Sequence, residues 1–273
     1  MTTTVDRPPV GVMIREWRLR RRCSQLDVSS ATGVSSRHLS FVETGRARPS
    51  STLILRLSDH LDVPLRERNR MLLAGGYAPR FTEHELDAPA MRPALDAVRE
   101  VLRAHEPVPA LAVDRLWNIV DANSAVSLFT EGCSPMLLEP PINALRLTLH
   151  PDGMAPRIVN LPEWRAAVLG GLKRSALARA DREMLALHDE LDKYPSGDDA
   201  PRQPAGGGQV HVPFILRHDG RVLSFLAIIA TFGTAVDITL SELSIESFFP
   251  ADATTAEYLR GRQGVMDVPG ERG

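Results

Sequence analysis

The stretch from Ser24 to Ser50 constrains the fold of this chain more than any other. It predicts a short helix over residues 25–32, a left-handed turn residue at Gly33, and a second helix over residues 35–44. The second helix has one apolar side and one polar side. A helix, a glycine turn and a second helix of this kind are typical of units that read DNA.

The second helix of this stretch separates its residues by polarity. Ser35 is the predicted N-cap, and winding the helix at about 100° per residue turns Leu39 and Val42 inward. The outward side contains Ser36, Arg37, Ser40, Phe41 and Thr44. Glu43 falls on the inward edge, where a carboxylate needs a partner, and Arg18 on the preceding helix is the predicted one.

These residues resemble the Xre family of helix-turn-helix repressors, which have the fold of the lambdoid phage repressors and Cro. The matching positions are Ser24-Gln25, Gly33-Val34-Ser35, Leu39-Ser40, Val42-Glu43 and Gly45 through Pro49. The resemblance implies that Gln25 contacts a phosphate and that the Arg18–Glu43 pair is a structural salt bridge. It also implies that base edges are read by Ser36, Arg37, Ser40 and Phe41.

Two positions depart from the family pattern. Arg22 stands where many relatives have a helix-ending glycine, and a left-handed arginine costs about 1 kcal/mol. Phe41 replaces a polar residue, so contact with a thymine methyl group is the remaining way for it to read a base. Arg46 and Arg48 follow the helix and are predicted to lie near phosphates, and Ser35 is also predicted among the DNA contacts.

The charge distribution agrees with DNA binding by this module. The chain of 273 residues has a net charge of −2, which by itself argues against a non-specific nucleic-acid coat. Residues 10–50 contain eight arginines and three acidic residues, a net charge of +5, so the remainder carries −7. A basic N-terminal module on an acidic body favours site-directed DNA binding.

The hydrophobic pattern predicts two domains of an α+β protein. A DNA-binding domain of five helices is expected over residues 1–77, followed by a linker over residues 78–93 that has three prolines and no period. A second domain is expected over residues 94–261, and a disordered tail over residues 262–273. The second domain opens with an apolar helical stripe over residues 94–105, which is either core or a dimer seam.

Periodicity changes to that of strands at Pro109. The predicted elements are two strands in 109–123, helices at 142–150 and 163–191, and strands at 210–217, 222–232 and 243–249. The long helix is expected to be interrupted at Gly170-Gly171, and the Pro/Gly-rich segment 195–209 is expected to be a loop. Two strands, then helices, then three strands is the order of elements in a PAS-like domain. In such a domain an antiparallel sheet curves around a cavity that helices cover.

Three further segments look like Xre regulators that carry a MmyB-like ligand-binding domain. They are residues 61–79, 109–129 and 231–253, and the resemblance extends from about Val10 to Arg260. It implies a PAS-like sensor of a small lipophilic effector such as a fatty acyl compound. The side chains predicted to contact the ligand are Trp117, Trp164, His211, Phe225 and Phe232, although each of these is also compatible with ordinary core or surface.

No pattern for catalysis, metal binding or a cofactor is present. The eight histidines show no HExxH or HxH spacing, and neither CxxC, a GxSxG elbow, a P-loop nor GxGxxG after a strand occurs. Asp237 and Glu242 lie near a strand turn in a pattern that predicts solvated carboxylates. No signal peptide or apolar run of membrane-spanning length is present, so the sequence predicts a soluble, cytoplasmic protein without a membrane partner.

Three classes of function remain open from the sequence. The leading one is a transcriptional repressor that binds a palindromic operator in double-stranded DNA as a homodimer and responds to an effector. The second is a DNA-binding protein whose C-terminal domain only dimerises. The third is an enzyme fused to a DNA-binding module, which would need a polar, ionisable pocket; the apolar strands argue against it.

Overall fold

The computed structural model describes residues 9–196 and 211–266 of the chain, which divides into two compact units. Unit 1 contains the chain up to His84 together with Thr234–Ser241. Unit 2 contains Glu85–Gly233 and the chain from Glu242 onward.

Five helices follow one another in the described N-terminal part of unit 1, as predicted. They are α1 (Val10–Arg20), α2 (Gln25–Thr32), α3 (Ser36–Glu43), α4 (Ser51–His60) and α5 (Leu65–Ala74). Serine side chains cap three of them: Ser24, Ser35 and Ser50 each accept a hydrogen bond from the backbone N–H three residues later. These caps satisfy backbone donors that a helix cannot pair internally, which is why the helices begin at these positions.

Helices α1 and α3 approach closely because residue 11 is glycine. A Cβ atom at Gly11 would lie 2.1 Å from the carbonyl oxygen of Val42, so no larger residue fits without a backbone shift. Gly33 ends α2 with φ 68°, and Arg22 adopts φ 57°, the left-handed conformation expected where relatives have glycine. The geometry of α1 against α3 therefore depends on local backbone features that the sequence shows directly.

Unit 2 is built on an antiparallel sheet with the predicted order of elements. Its strands are β1 (Ala110–Val113), β2 (Ile119–Ala122), β3 (Phe214–His218), β4 (Arg221–Thr231) and β5 (Ser244–Pro250). They pair in the order β2-β1-β5-β4-β3. Asp219 and Gly220, with φ 48° and 70°, form the predicted hairpin turn between β3 and β4.

Helices cover both faces of this sheet. They are α6 (Arg92–Ala104), α7 (Ser127–Thr130), α8 (Ala144–Leu149), α9 (Leu161–Arg179) and α10 (Arg182–Leu191). Helix α6 packs Val98 and Leu102 on Ala110, Ala112 and Ile245 on one face. The opposite face contacts the larger core, to which helices α8, α9 and α10 contribute.

The long helix predicted over residues 163–191 is two helices, and the position of the break differs from the prediction. Ala180 takes φ 58°, and Asp181 caps α10 by accepting hydrogen bonds from the N–H groups of Glu183 and Met184. Gly170 and Gly171 remain helical inside α9. The cap at Asp181 stabilises this break, because it offers the chain a replacement for the lost helical hydrogen bonds.

The predicted start of the first of the three C-terminal strands is corrected. Strand β3 begins at Phe214, so His211 lies before it and is exposed, while Val210 and most of the predicted loop 195–209 lie outside the described residues. Strand β4 is not covered on both faces, since Ile228 and Ile229 are 47 % and 52 % exposed.

The connection between β4 and β5 belongs to unit 1 and contains a short helix, α11 (Ile238–Ser241). Ile238 is buried there, and its N–H donates to the carbonyl oxygen of Thr82 at 2.8 Å. Asp237 pairs with Nδ1 of His84 at 2.8 Å and is only 9 % exposed, contrary to the solvated carboxylate that the sequence predicted.

The last described helix, α12 (Ala253–Met266), begins beside Asp252, whose carboxylate accepts from the N–H of Thr255. The prediction of a disordered tail from Arg262 is wrong up to Met266, because Arg262 continues the helix and donates to Glu131 at 2.7 Å. Residues 267–273 lie outside the described residues. Within the described part of the chain, no helix is long and apolar enough to cross a membrane.

Candidate DNA-reading face and effector cavity

Helix α3 presents its polar side outward in unit 1. Leu39 and Val42 are buried to 0 % and 1 % exposure, as the helical period predicts. Arg37 is exposed, and partial exposure is shared by Ser36, Ser40 and Phe41. The residues that the resemblance assigns to base reading therefore share one accessible side of one helix.

Phe41 also holds two arginines on this side. The guanidinium of Arg37 lies 5.5 Å from the centroid of the Phe41 ring, and that of Arg46 lies 6.0 Å from it. Such cation–π contacts contribute about 0.5–1 kcal/mol at exposed sites. From the sequence, Phe41 was predicted only as a base contact. The spacing of four residues between Arg37 and Phe41 is the signal that could have shown this second role.

The predicted salt bridge between Arg18 and Glu43 is confirmed, and it consists of two hydrogen bonds. Nε of Arg18 donates to Oε1 of Glu43 at 2.7 Å, and Nη2 donates to Oε2 at 2.8 Å. Gln25 donates from its side-chain amide to the same Oε2 at 2.8 Å. Burial by itself would raise the pKa of Glu43, but the hydrogen bonds from Arg18 and Gln25 outweigh it and lower the pKa. Glu43 therefore joins α1, α2 and α3, and it orients the residue predicted to contact a phosphate.

The other predicted DNA contacts differ in how the fold holds them. The hydroxyl of Ser35 accepts from the N–H of His38, as an N-cap does. Arg48 donates from Nε and Nη2 to the carbonyl oxygen of Gly75 at 3.2 and 2.8 Å, and its guanidinium lies 5.5 Å from the Tyr77 ring. Arg48 thus connects the loop after α3 to the end of α5 through these hydrogen bonds. Arg46 instead contacts Phe41 on the outward side of α3.

Unit 2 contains a cavity of about 260 Å³ between the sheet and helices α8 and α9. Its wall is mainly apolar and includes Leu111, Phe129, Leu145, Trp164, Phe214 and Phe248. For scale, an apolar cavity of about 150 Å³ is enough to bind benzene. Ile229 and Ser175 also line it and are exposed, so the cavity reaches the surface on that side.

Two residues of the apolar wall have buried polar groups. Glu246 on β5 is 8 % exposed, and its burial raises the pKa of its carboxyl to about 7. The indole Nε1 of Trp164 is buried without a hydrogen-bond partner among the described residues. Sequence reasoning missed Glu246, although a single acidic residue within the strand SIESFF was a visible signal.

Of the predicted ligand contacts, the structure brings two together. Trp117 and Trp164 line the cavity. Phe225 is fully buried behind the wall, where its ring contacts those of Phe129 and Phe214, so the prediction of a wall position is corrected to one in the core. Phe232 packs with the cluster beneath α6 on the other face of the sheet, and His211 is exposed before β3. Neither of the last two is part of the cavity wall.

No grouping of three or more His, Cys, Asp or Glu side chains within residues 9–196 and 211–266 could hold a metal ion. Together, a helix-turn-helix with an exposed polar face and a sensor-type domain with an apolar cavity define a DNA-binding transcription regulator with a ligand-binding domain.

The comparisons with known families agree. Residues 94–261 match the MmyB-like transcription regulator ligand binding domain, and residues 14–68 match a helix-turn-helix family. Since the first match covers more than half of the chain, the protein belongs to the MmyB-like transcription regulators. Both families are regulatory. No individual curated protein gives a significant match.

Proposed function

We propose that this protein is a transcriptional repressor that binds a palindromic operator as a homodimer and is controlled by a small lipophilic effector. The observation that supports the effector most directly is the apolar cavity of about 260 Å³ in the ligand-binding domain. A fatty acyl compound is the effector class that this wall favours, because its burial is driven by apolar area. The resemblance to Xre repressors supports repression and the two-fold operator.

The proposed division of DNA contacts follows the geometry of unit 1. Base edges are read by Ser36, Arg37, Ser40 and Phe41 on the outward side of α3. The backbone is held by Gln25, Ser35, Arg46 and Arg48, which lie at the start of α2, at the cap of α3 and after its end.

The proposed route of the signal uses the chain itself. Strands β4 and β5 contribute Ile229, Glu246 and Phe248 to the cavity wall. The same two strands continue into Thr234–Ser241, which packs within the DNA-binding unit. An effector that shifts these strands would therefore also shift a segment of the DNA-binding unit. A ligand that binds one arrangement of the strands more tightly than the other changes the equilibrium between the two arrangements.

A series of straight-chain fatty acyl compounds is expected to raise the melting temperature of the protein, with a larger shift for each added methylene until the cavity is full. Each buried methylene contributes about 0.8 kcal/mol, and selective binding to the folded state stabilises it. Thermal-shift titrations measure this, and operator-binding titrations with the same compounds measure the change in DNA affinity.

Two alanines of α9 provide a matched pair of variants for this experiment. Ala167 lines the cavity, whereas the neighbouring Ala166 is exposed and does not. Ala167→Leu should move the optimum to shorter chains, and Ala166→Leu should leave it unchanged. If the wild type shows no dependence on chain length, the C-terminal domain serves only dimerisation.

Arg37→Ala is expected to lower affinity mainly for the operator, by about 1–3 kcal/mol of discrimination, because Arg37 lies on the outward side of α3. Arg46→Ala should weaken operator and random DNA alike. Titrations on an operator selected from a random library and on random DNA, at several salt concentrations, separate the two effects. Arg70→Ala, on α5, is the control and should change neither affinity. An equal loss of affinity for both DNAs in Arg37→Ala would show that Arg37 does not read base edges.

A further inference from the structure

Glu246 is an acidic side chain in a cavity wall that is otherwise mainly apolar. On β5 it stands between Leu111 of β1 and Ile229 of β4 in the register of the sheet, and all three line the cavity. No side chain among the described residues donates a hydrogen bond to its carboxyl, and no Lys, Arg or His belongs to the described wall. The described part of the fold therefore supplies no partner for this group.

A carboxyl group without a hydrogen-bond partner is energetically unfavourable in a mainly apolar cavity wall. Burying a carboxylate without a donor costs free energy that an apolar residue of similar size would avoid. The two residues that pair with Glu246 on the adjacent strands, Leu111 and Ile229, are both apolar. A ligand with a complementary donor would supply the missing partner.

Trp164 lines the same cavity with its indole ring. Its Nε1–H is a donor only, it is buried, and no acceptor reaches it among the described residues. The ring itself packs 4.9 Å from the ring of Phe214, so the indole is held in place by the aromatic wall. Because Nε1 has no accessible surface, Trp164 presents its apolar ring to a ligand, and Glu246 is the unpartnered acidic group of the wall.

We propose that the cavity binds an apolar molecule whose polar end is an amide or an amine, with its N–H groups donated to Glu246, and that it discriminates against a carboxylate of equal length. This inference rests on the proposed effector-binding function and names the chemistry of the ligand's polar end. A carboxylate offers no donor to Glu246 and adds a second negative charge beside it.

The test compares three probes of one chain length: an n-alkanamide, an n-alkylamine and an n-alkanoate, each below its critical micelle concentration. Calorimetric titration of the full chain, at a pH above about 7 where the carboxyl of Glu246 is ionised, is expected to show tighter binding of the amide and the amine than of the carboxylate. The difference should be at least about tenfold, as for a hydrogen bond to a charged group. In Glu246→Gln this preference should shrink to less than about threefold, because the negative charge is gone. Glu257→Gln, an exposed glutamate of α12, should preserve it.

Trp164→Phe provides a control within the same cavity. It keeps an aromatic ring in the wall and leaves Glu246 in place, so it should preserve the preference for the amide and the amine over the carboxylate. A carboxylate that binds the wild type as tightly as the amide, or a preference that survives in Glu246→Gln, would overturn the inference while leaving the proposed function intact. Absence of binding by all three probes would overturn both.

Discussion

Glu43→Ala is expected to lower the free energy of unfolding of unit 1 by about 3–5 kcal/mol, because it leaves the buried guanidinium of Arg18 without its counter-charge. It also removes the acceptor of the Gln25 amide. Hydrogen exchange followed by mass spectrometry in the full chain measures this locally, since peptides from α1 and α3 report on unit 1. Glu16→Ala is the matched control; Glu16 is exposed on α1, and its loss should change stability by less than about 0.5 kcal/mol.

The pH dependence of this effect has a defined sign. The folded-state pKa of Glu43 is lowered, so the unfolded state binds more protons as the solution is acidified. The stabilisation by Glu43 is present above the unfolded pKa, near 4.5, and is lost as the pH falls through the lower folded pKa. The difference between wild type and Glu43→Ala should therefore be constant at neutral pH and shrink in acid. Unchanged protection of α1 and α3 in the variant would mean that Glu43 is exposed.

Glu246→Gln is expected to stabilise the ligand-free protein at alkaline pH by on the order of 3 kcal/mol, since the carboxyl titrates at about 7 instead of 4.5 and each unit is worth about 1.4 kcal/mol. Between these two values the unfolded carboxyl is ionised while the folded one keeps its proton. The native state then binds more protons than the unfolded state, so wild-type stability falls as the pH rises from 4.5 to about 7. Glutamine does not titrate and lacks this fall.

Urea unfolding of unit 2 across this pH range measures the prediction, with wild type and variant compared at each pH. The two curves should converge below pH 4.5 and separate up to about 7. Glu257→Gln replaces an exposed glutamate of the same unit and should follow the wild-type curve. Parallel curves for wild type and Glu246→Gln would show that the carboxyl of Glu246 is solvated or paired.

The helix-turn-helix was predictable because its signals are local. Capping serines, the left-handed Gly33 and the period of Leu39 and Val42 act within one or two helical turns, so they need no knowledge of distant contacts. The pairing of Arg18 with Glu43 followed from the same period together with the family resemblance. The order of strands along the chain likewise indicated a PAS-like sheet, because strand signals depend on alternation and turn residues.

Competition between local signals was decided by the tertiary structure. By helix propensity, Gly170-Gly171 should break the helix more readily than Ala180 does. Helix α9 nevertheless continues through the two glycines and ends at its C-cap, Ala180. The cap at Asp181 and the packing of α9 against α10 offset the cost of the glycines, which is about 1 kcal/mol each. Propensity is a weak term when a helix is held by its neighbours.

The helix-turn-helix, its polar face and the order of the strands in unit 2 follow from local signals, since caps, periods and turns are properties of neighbouring residues. Contacts between distant parts of the chain place Glu246 on a cavity wall, Phe225 in the core beside it, and Thr234–Ser241 in the DNA-binding unit. Alternation along a strand shows that two faces differ. It does not show which distant side chains fill the space above a face, and that filling decides whether a residue borders a cavity or closes it.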